Sequence, residues 1–151
     1  MKKIIFLALI SFIGITATAQ KATEKDVQGK WKMISFAADD VTIDILAEKF
    51  TLAPELEKSL TPAQKEEMEL SMQMGIEMLK EAYASFEGTK FSQVVGPETQ
   101  TGSFFMKDGN SMVSINDNGE VIDLVATIVD KKLHLKKTSA EENIHLIYVK
   151  Q

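Results

Sequence analysis

Imidazole is the side chain best suited to metal ligation or proton transfer near neutral pH, and the chain carries two, His134 and His145. Both alternate with apolar neighbours in short β-type runs, so both belong to the face of a sheet that turns away from its apolar side. A four-residue loop over 138–141 sets them directly opposite each other, with Cβ atoms about 5 Å apart. Two imidazoles so placed could share a metal, with Glu141 and Glu142 in the loop beside them. Two ligands seldom complete a site, so the pair is read as solvent-facing strand residues and no metal is assigned. Methionine offers a second metal chemistry. Four of the eight methionines fall within 68–78, and thioethers suit Cu(I). At helical spacing Met68 and Met72 take one side and Met74 and Met78 another, so the four do not converge. Packing is their reading, because methionine fills irregular gaps and adaptable surfaces.

Catalysis finds little support. There is no cysteine, no Gly-x-Ser-x-Gly elbow and no phosphate-cradling glycine loop. Two histidines fall short of a three-histidine zinc centre. The pair Glu141-Glu142 reads as a solvated loop. The expectation is a non-catalytic protein with no cofactor.

Positioning falls to two kinds of element. The first is a helix over 62–86, within a helical insertion of about 55–87. Thr61 is a good N-cap, Pro62 suits the first helical position, Gln64 completes a capping box and Gly88 lies just past the end. Met68, Met72, Ile76, Leu79, Tyr83 and Phe86 form one stripe. Leu70, Met74 and Met78 form a second, which a helix covering one surface does not need. That second stripe is the expected interaction surface, serving a partner or a weak homo-oligomer.

The second kind is a run of strands. Residues 20–28 are polar and read as frayed. Strands are expected at 30–36, 42–46 and 89–95, then as a meander over roughly 99–149. Asp108-Gly109 and Asn118-Gly119 are two-residue hairpin signals, and Asp130-Lys131 is a weaker one. With turns at those pairs, Phe104 opposes Val113, Val113 opposes Leu124, Ala126 opposes Leu135 and Leu133 opposes Leu146. Phe104, Met106, Val113, Ile115, Ile122, Leu124, Ile128, Leu133, Leu135, Ile144, Leu146 and Tyr148 then share one apolar face. On this register an aspartate at Val113 should be severely destabilising and one at Met112 much milder; equal losses would mean that both faces are covered, since Phe105, Met112, Val125 and Val129 make the second face partly apolar. The expected fold is mainly β: an eight-stranded up-and-down antiparallel barrel, with one long helix inserted between strands 2 and 3.

The first 19 residues have the parts of an export signal: Lys2 and Lys3, an apolar run from Ile4 to Ile15, and the small-x-small site Ala17-Thr18-Ala19. The run is shorter than the roughly 20 residues of a spanning helix. Cleavage after Ala19 would release one domain, 20–151, into the periplasm or the medium, with no membrane attachment. All 17 basic residues are lysine. Removing Lys2 and Lys3 leaves 15 against 22 acidic residues, a net charge of −7. That balance argues against nucleic acid and anionic lipid as partners.

Gly29-x-Trp31 on the first strand of an exported meander resembles the lipocalin family, and Gly29-Lys30-Trp31-Lys32 is similar to the opening of small bacterial lipocalin-like domains. The resemblance implies that Trp31 packs at the closed end of the barrel and that Gly29 allows a close approach beneath it. It implies binding of a small apolar ligand, with Trp31, Phe104, Val113, Leu124, Leu135 and Tyr148 as the expected ligand-binding residues. Lipocalins usually set an arginine from the last strand against that tryptophan; here Lys150 is the nearest cation. The alternative is a structural or interaction module whose barrel is filled by its own side chains and which meets a partner through the methionine-rich helix.

Overall fold

In the computed structural model, which describes residues 20–138 and 142–151, short turns return almost every strand beside the one before it. The elements in chain order are β1 (Gln20–Lys21), α1 (Glu24–Val27), β2 (Gly29–Ala38), β3 (Val41–Asp44), β4 (Lys49–Leu52), α2 (Pro54–Ser59), α3 (Pro62–Leu79), β5 (Tyr83–Glu87), β6 (Lys90–Val95), β7 (Glu98–Met106), β8 (Ser111–Asn116), β9 (Val121–Val129), β10 (Lys132–Thr138) and β11 (Asn143–Lys150). Strands β2 and β5 to β11 follow one another around an eight-stranded antiparallel barrel, and β11 pairs back onto β2 to close it. Closure leaves these strands without an open edge.

Strand β2 is shared. Gly29 to Lys32 pair with β5, and Ser35 to Ala38 pair with β3. The β3–β4 hairpin therefore leaves the barrel wall at one end, and helix α3 carries the chain from β4 back to β5. The strand expected at 42–46 belongs to this hairpin and not to the barrel. The barrel strand in its place is β5, over residues read from the sequence as the end of the helix. Helix α3 begins as expected, with the Thr61–Gln64 capping box formed and Pro62 in its first turn, but it stops at Leu79. Tyr83 and Phe86 do lie at helical spacing from Leu79. Ala82, Ala84 and Phe86 also alternate, and the free edge of β2 takes them as a strand. Phe86 turns inward as part of the core, while Tyr83 is only half-buried and lies under Lys30, whose Nζ is 4.1 Å from the ring centroid.

The closed end of the barrel holds the densest packing. Residues 20–28 do not fray: β1 pairs with β9, and Thr23 and Asp26 cap the short helix α1 reciprocally. Ala22 and Val27 are fully buried, and Trp31 Nε1 donates to the Val27 carbonyl at 2.7 Å. Phe86 and Phe104 meet edge to face, with ring centroids 5.1 Å apart. Gly29 has φ +102°, and a Cβ there would sit 3.3 Å from Lys150 Cε, so Lys150 is the chain that makes the close approach. Its Nζ reaches 5.3 Å from the Trp31 ring centroid.

The meander forms, with one strand reversed in face. Lys107 N donates to Ser111 O, and Asn116 N donates to Glu120 O, so both hairpins around β8 have three-residue loops. Each moves the pairing by one residue: Phe104 opposes Ser114, Met106 opposes Met112, and Met112 opposes Leu124. The two slips cancel for β7 and β9 but turn β8 over. Met112 and Ser114 face the interior, and Val113 and Ile115 face outward, contrary to the sequence register. The Asp130-Lys131 turn has two residues at positive φ and keeps the expected partners Leu133–Ile128 and Leu135–Ala126. Between β10 and β11 the shift is two residues, so Leu133 opposes Tyr148 and Leu135 opposes Leu146 while the faces are kept.

This register changes what is expected of two substitutions, since Met112 and Val113 are both buried, on opposite faces of β8. Met112→Asp should cost at least about 3 kcal/mol, because it buries an unpaired carboxylate inside the barrel. Val113→Asp should also destabilise, because Val113, although on the outer face of β8, is itself buried at 3% exposure and stands opposite Asp123. Urea unfolding of the two variants measures this, and a tolerated Met112→Asp would refute the register.

Candidate functional site

Above the packed closed end, the open half of the barrel encloses a cavity of about 410 Å³. Alternation along the strands sets its wall. Phe36 from β2, Phe91 and Val95 from β6, Ile122 and Leu124 from β9, Leu135 from β10, and Ile144 and Leu146 from β11 all line it. Leu79 adds the end of α3. The helix is held there because Ile76 is buried in the barrel's core, with Met72 and Leu79 packed against it. Lys80, just past the helix, ties its end to the β3–β4 turn through Glu48 at 3.0 Å, and it also meets Glu77 at 2.6 Å.

Polar groups in the cavity fall into two sets. The inner set is neutral. Gln93 Nε2 donates to the Tyr148 hydroxyl at 3.3 Å, and Ser114 Oγ reaches the Ile122 carbonyl at 3.4 Å. Burial raises the Tyr148 phenol far above its usual range, so it stays protonated. The outer set is charged and lies at strand ends. Lys137 Nζ is 2.5 Å from Glu142 Oε2, and Glu120 accepts from Asn116 Nδ2 at 3.0 Å.

Of the residues expected to bind a ligand, Leu124, Leu135 and Tyr148 line this cavity. Trp31 and Phe104 are buried in the packed core beneath it, and Val113 lies on the outer face of β8. Sequence reasoning missed Gln93 and Ser114. Gln93 had a signal, since Phe91, Gln93 and Val95 alternate on one face of β6. Ser114 had none, because its face depends on turn lengths that the glycines at 109 and 119 leave open. Leu70, Met74 and Met78 are exposed, as the second stripe predicts, although Met78 also packs on the β6–β7 turn: a Cβ on Gly96 would lie 3.0 Å from its Cε.

The two histidines meet on the outer face. They are diagonal neighbours, not directly opposed, because His134 pairs with Ile147 and His145 with Lys136. The rings still touch, with His134 Nδ1 3.0 Å from His145 Nε2. Burial, helped by Lys136 and by His134 itself, pushes His145 down to about 4. Burial, with Lys136 and Lys132, also lowers His134. Both rings are therefore neutral at pH 7, and one donates to the other. Glu141 lies outside the described residues. Among the described residues no three His, Asp or Glu side chains gather as metal ligands, and no helix is long and apolar enough to cross a membrane.

Comparison of the chain with models of known families, with curated proteins and with solved structures finds no match.

The histidine pair makes a pH prediction. A folded-state value below the ordinary 6.5 means that the unfolded chain binds protons more readily, so stability is present above pH 6.5 and declines as pH falls toward 4. Denaturant melts between pH 7.5 and 4.5 should show this fall, and His145→Gln should flatten it. An unchanged slope in the variant would assign the acid sensitivity to other groups.

Proposed function

We propose that this chain is an exported, non-catalytic, lipocalin-like binding protein that holds a small apolar molecule in the open half of its barrel. The carrying observation is the cavity. Its volume of about 410 Å³ falls within the range of small-molecule sites, and its wall is apolar with a few convergent polar groups. The closed barrel and the Gly29-x-Trp31 motif packed at its closed end support the lipocalin-like reading. The basic, apolar and small-residue succession over 1–19 supports export.

A second reading rests on a different observation. Leu70 and Met74 are 61% and 71% exposed on a helix whose other side is docked. Exposed apolar stripes mark contact surfaces, and methionine suits one that must adapt. This is the interaction-module alternative, with a partner or a second copy of the chain.

Native mass spectrometry of the protein purified from its own compartment should show a chain beginning at Gln20 and carrying a small apolar molecule. Leu124→Trp should displace that molecule by filling the cavity, at an overpacking cost of about 1–3 kcal/mol. A retained ligand in the folded variant would place binding elsewhere. Leu70→Lys with Met74→Lys should leave the melting temperature and the bound ligand unchanged. A loss of self-association in sedimentation would favour the interaction reading, and a collapse in melting temperature would make the stripe part of the core.

A further inference from the structure

The distribution of charge in the cavity bears on the kind of molecule it accepts. We infer that the barrel selects an uncharged amphiphile, a long-chain alcohol, ester or ketone with one hydrogen-bonding oxygen, and discriminates against the fatty acid of the same length. The inference rests on the reading of the barrel as a ligand site and adds the chemistry of its ligand.

Three observations carry it. First, the inner polar groups are neutral. Gln93 is a primary amide, Ser114 a hydroxyl, and Tyr148 a phenol. Tyr148 is fully buried, and its one hydrogen bond among the described residues is to the Gln93 amide. Whichever way that amide sits, the couple keeps a donor to spare. With the nitrogen toward the phenol, the phenol proton is unspent; with the oxygen toward it, the amide N–H groups are. Gln93 is half-buried and lines the cavity, so it presents the couple to a ligand oxygen. Neutral donors of this kind suit a carbonyl or hydroxyl oxygen.

Second, among the described residues the lining holds one cation, Lys137, and it is engaged by Glu142 at 2.5 Å. A carboxylate ligand would have to displace Glu142 or enter without a counter-charge. Burying an ionised carboxylate without a partner is strongly unfavourable, whereas an uncharged oxygen needs only a hydrogen bond. Third, among the described residues the lining holds two carboxylates, Glu120 and Glu142, against that single ammonium. An anion at the mouth therefore meets net negative charge, and the whole chain is acidic as well, at −5.

The strand ends explain the arrangement. Lys137 is the second-last residue of β10, Glu142 immediately precedes β11, and Glu120 immediately precedes β9. All three thus sit at the rim, where water solvates them. Gln93 lies within β6, opposite Ala84 and Gln100, and its side chain reaches inward to the buried Tyr148 hydroxyl.

The test uses the neutral fluorophore N-phenyl-1-naphthylamine bound to the purified protein and displaced at pH 7.5 by decanol, methyl decanoate, decanoate or decylamine. Decanol and the ester should displace it at concentrations about tenfold lower than decanoate, the factor corresponding to about 1.4 kcal/mol. Decanoate binding as well as decanol would overturn the inference and leave the barrel as a ligand site. Decylamine binding most tightly would also overturn it, by giving the rim carboxylates the selecting role. If neither the fluorophore nor any decyl compound binds, the binding reading itself fails, and the inference with it. Gln93→Leu separates the hydrogen bond from simple apolar fit. It should weaken decanol and the ester several-fold and leave decanoate unchanged, with folding checked by thermal melting. An equal loss for all probes would mean that Gln93 only shapes the wall.

Discussion

Everything inside the barrel depends on the pairing of β11 with β2. Ile144 to Lys150 lie against Trp31 to Ala38, joining the two ends of the described chain and turning an open meander into a closed wall. Such a long loop is costly to close, but the cost grows only slowly with length, and closure hides two edges at once. The pairing carries a register shift between Ile147 and Tyr148, so that Ile147 opposes Ser35 while Tyr148 opposes Met33. Ile34 is the extra residue, a β-bulge. Bulges re-aim side chains and let a strand bend. Here the bulge allows Trp31 and Met33 to point inward at the closed end and Phe36 to line the cavity at the open end. It also falls where β2 exchanges β5 for β3 as its neighbour. One irregular residue therefore divides the barrel into a packed half and an open half.

The same counting rule explains what could be read from the sequence. Strand parity survives any even error in a hairpin and fails at any odd one. At the β10–β11 connection the pairing moved by two, so Leu135, Ile144, Leu146 and Tyr148 kept their inward face although their partners changed. At β8 it moved by one at each end. Asp108-Gly109 and Asn118-Gly119 look like two-residue turns, but each loop takes one more residue, with Gly109 at φ +75° and Gly119 at φ +83°. Glycine satisfies either loop length, so its presence locates a turn without fixing its parity. The penalty fell on Val113 and Ile115, while Met112 and Ser114 went unrecognised.

The helix shows a different limit. Its start was legible because a capping box is local chemistry: Thr61, Pro62 and Gln64 sit within one turn. Its end was not, because the decision is tertiary. Nothing within 80–87 forbids another helical turn, and Gly88 even offers a plausible stop. Ala82, Ala84 and Phe86 become a strand because β2 has an edge to fill, and an unpaired edge inside a closed wall would leave backbone donors and acceptors unsatisfied. Local pattern permitted both outcomes, and long-range hydrogen bonding chose between them. The exposed stripe survives this correction, because Leu70, Met74 and Met78 lie within the part of the helix that both readings share.

The two clusters of polar chemistry on this barrel differ because of the face on which alternation puts them. His134 and His145 fall outside, against each other and beside Lys136, and the consequence is a neutral pair coupled to pH. Gln93, Ser114 and Tyr148 fall inside, among apolar side chains, where charge would be costly and neutral hydrogen-bonding groups are the affordable polarity. The ionised residues of the cavity are confined to strand ends, where water reaches them. That division follows from desolvation alone and requires no knowledge of a ligand. On the proposed binding reading, a molecule that enters meets charge first and neutral donors last, so the head group it can keep at depth is set by the same penalty that placed the protein's own side chains.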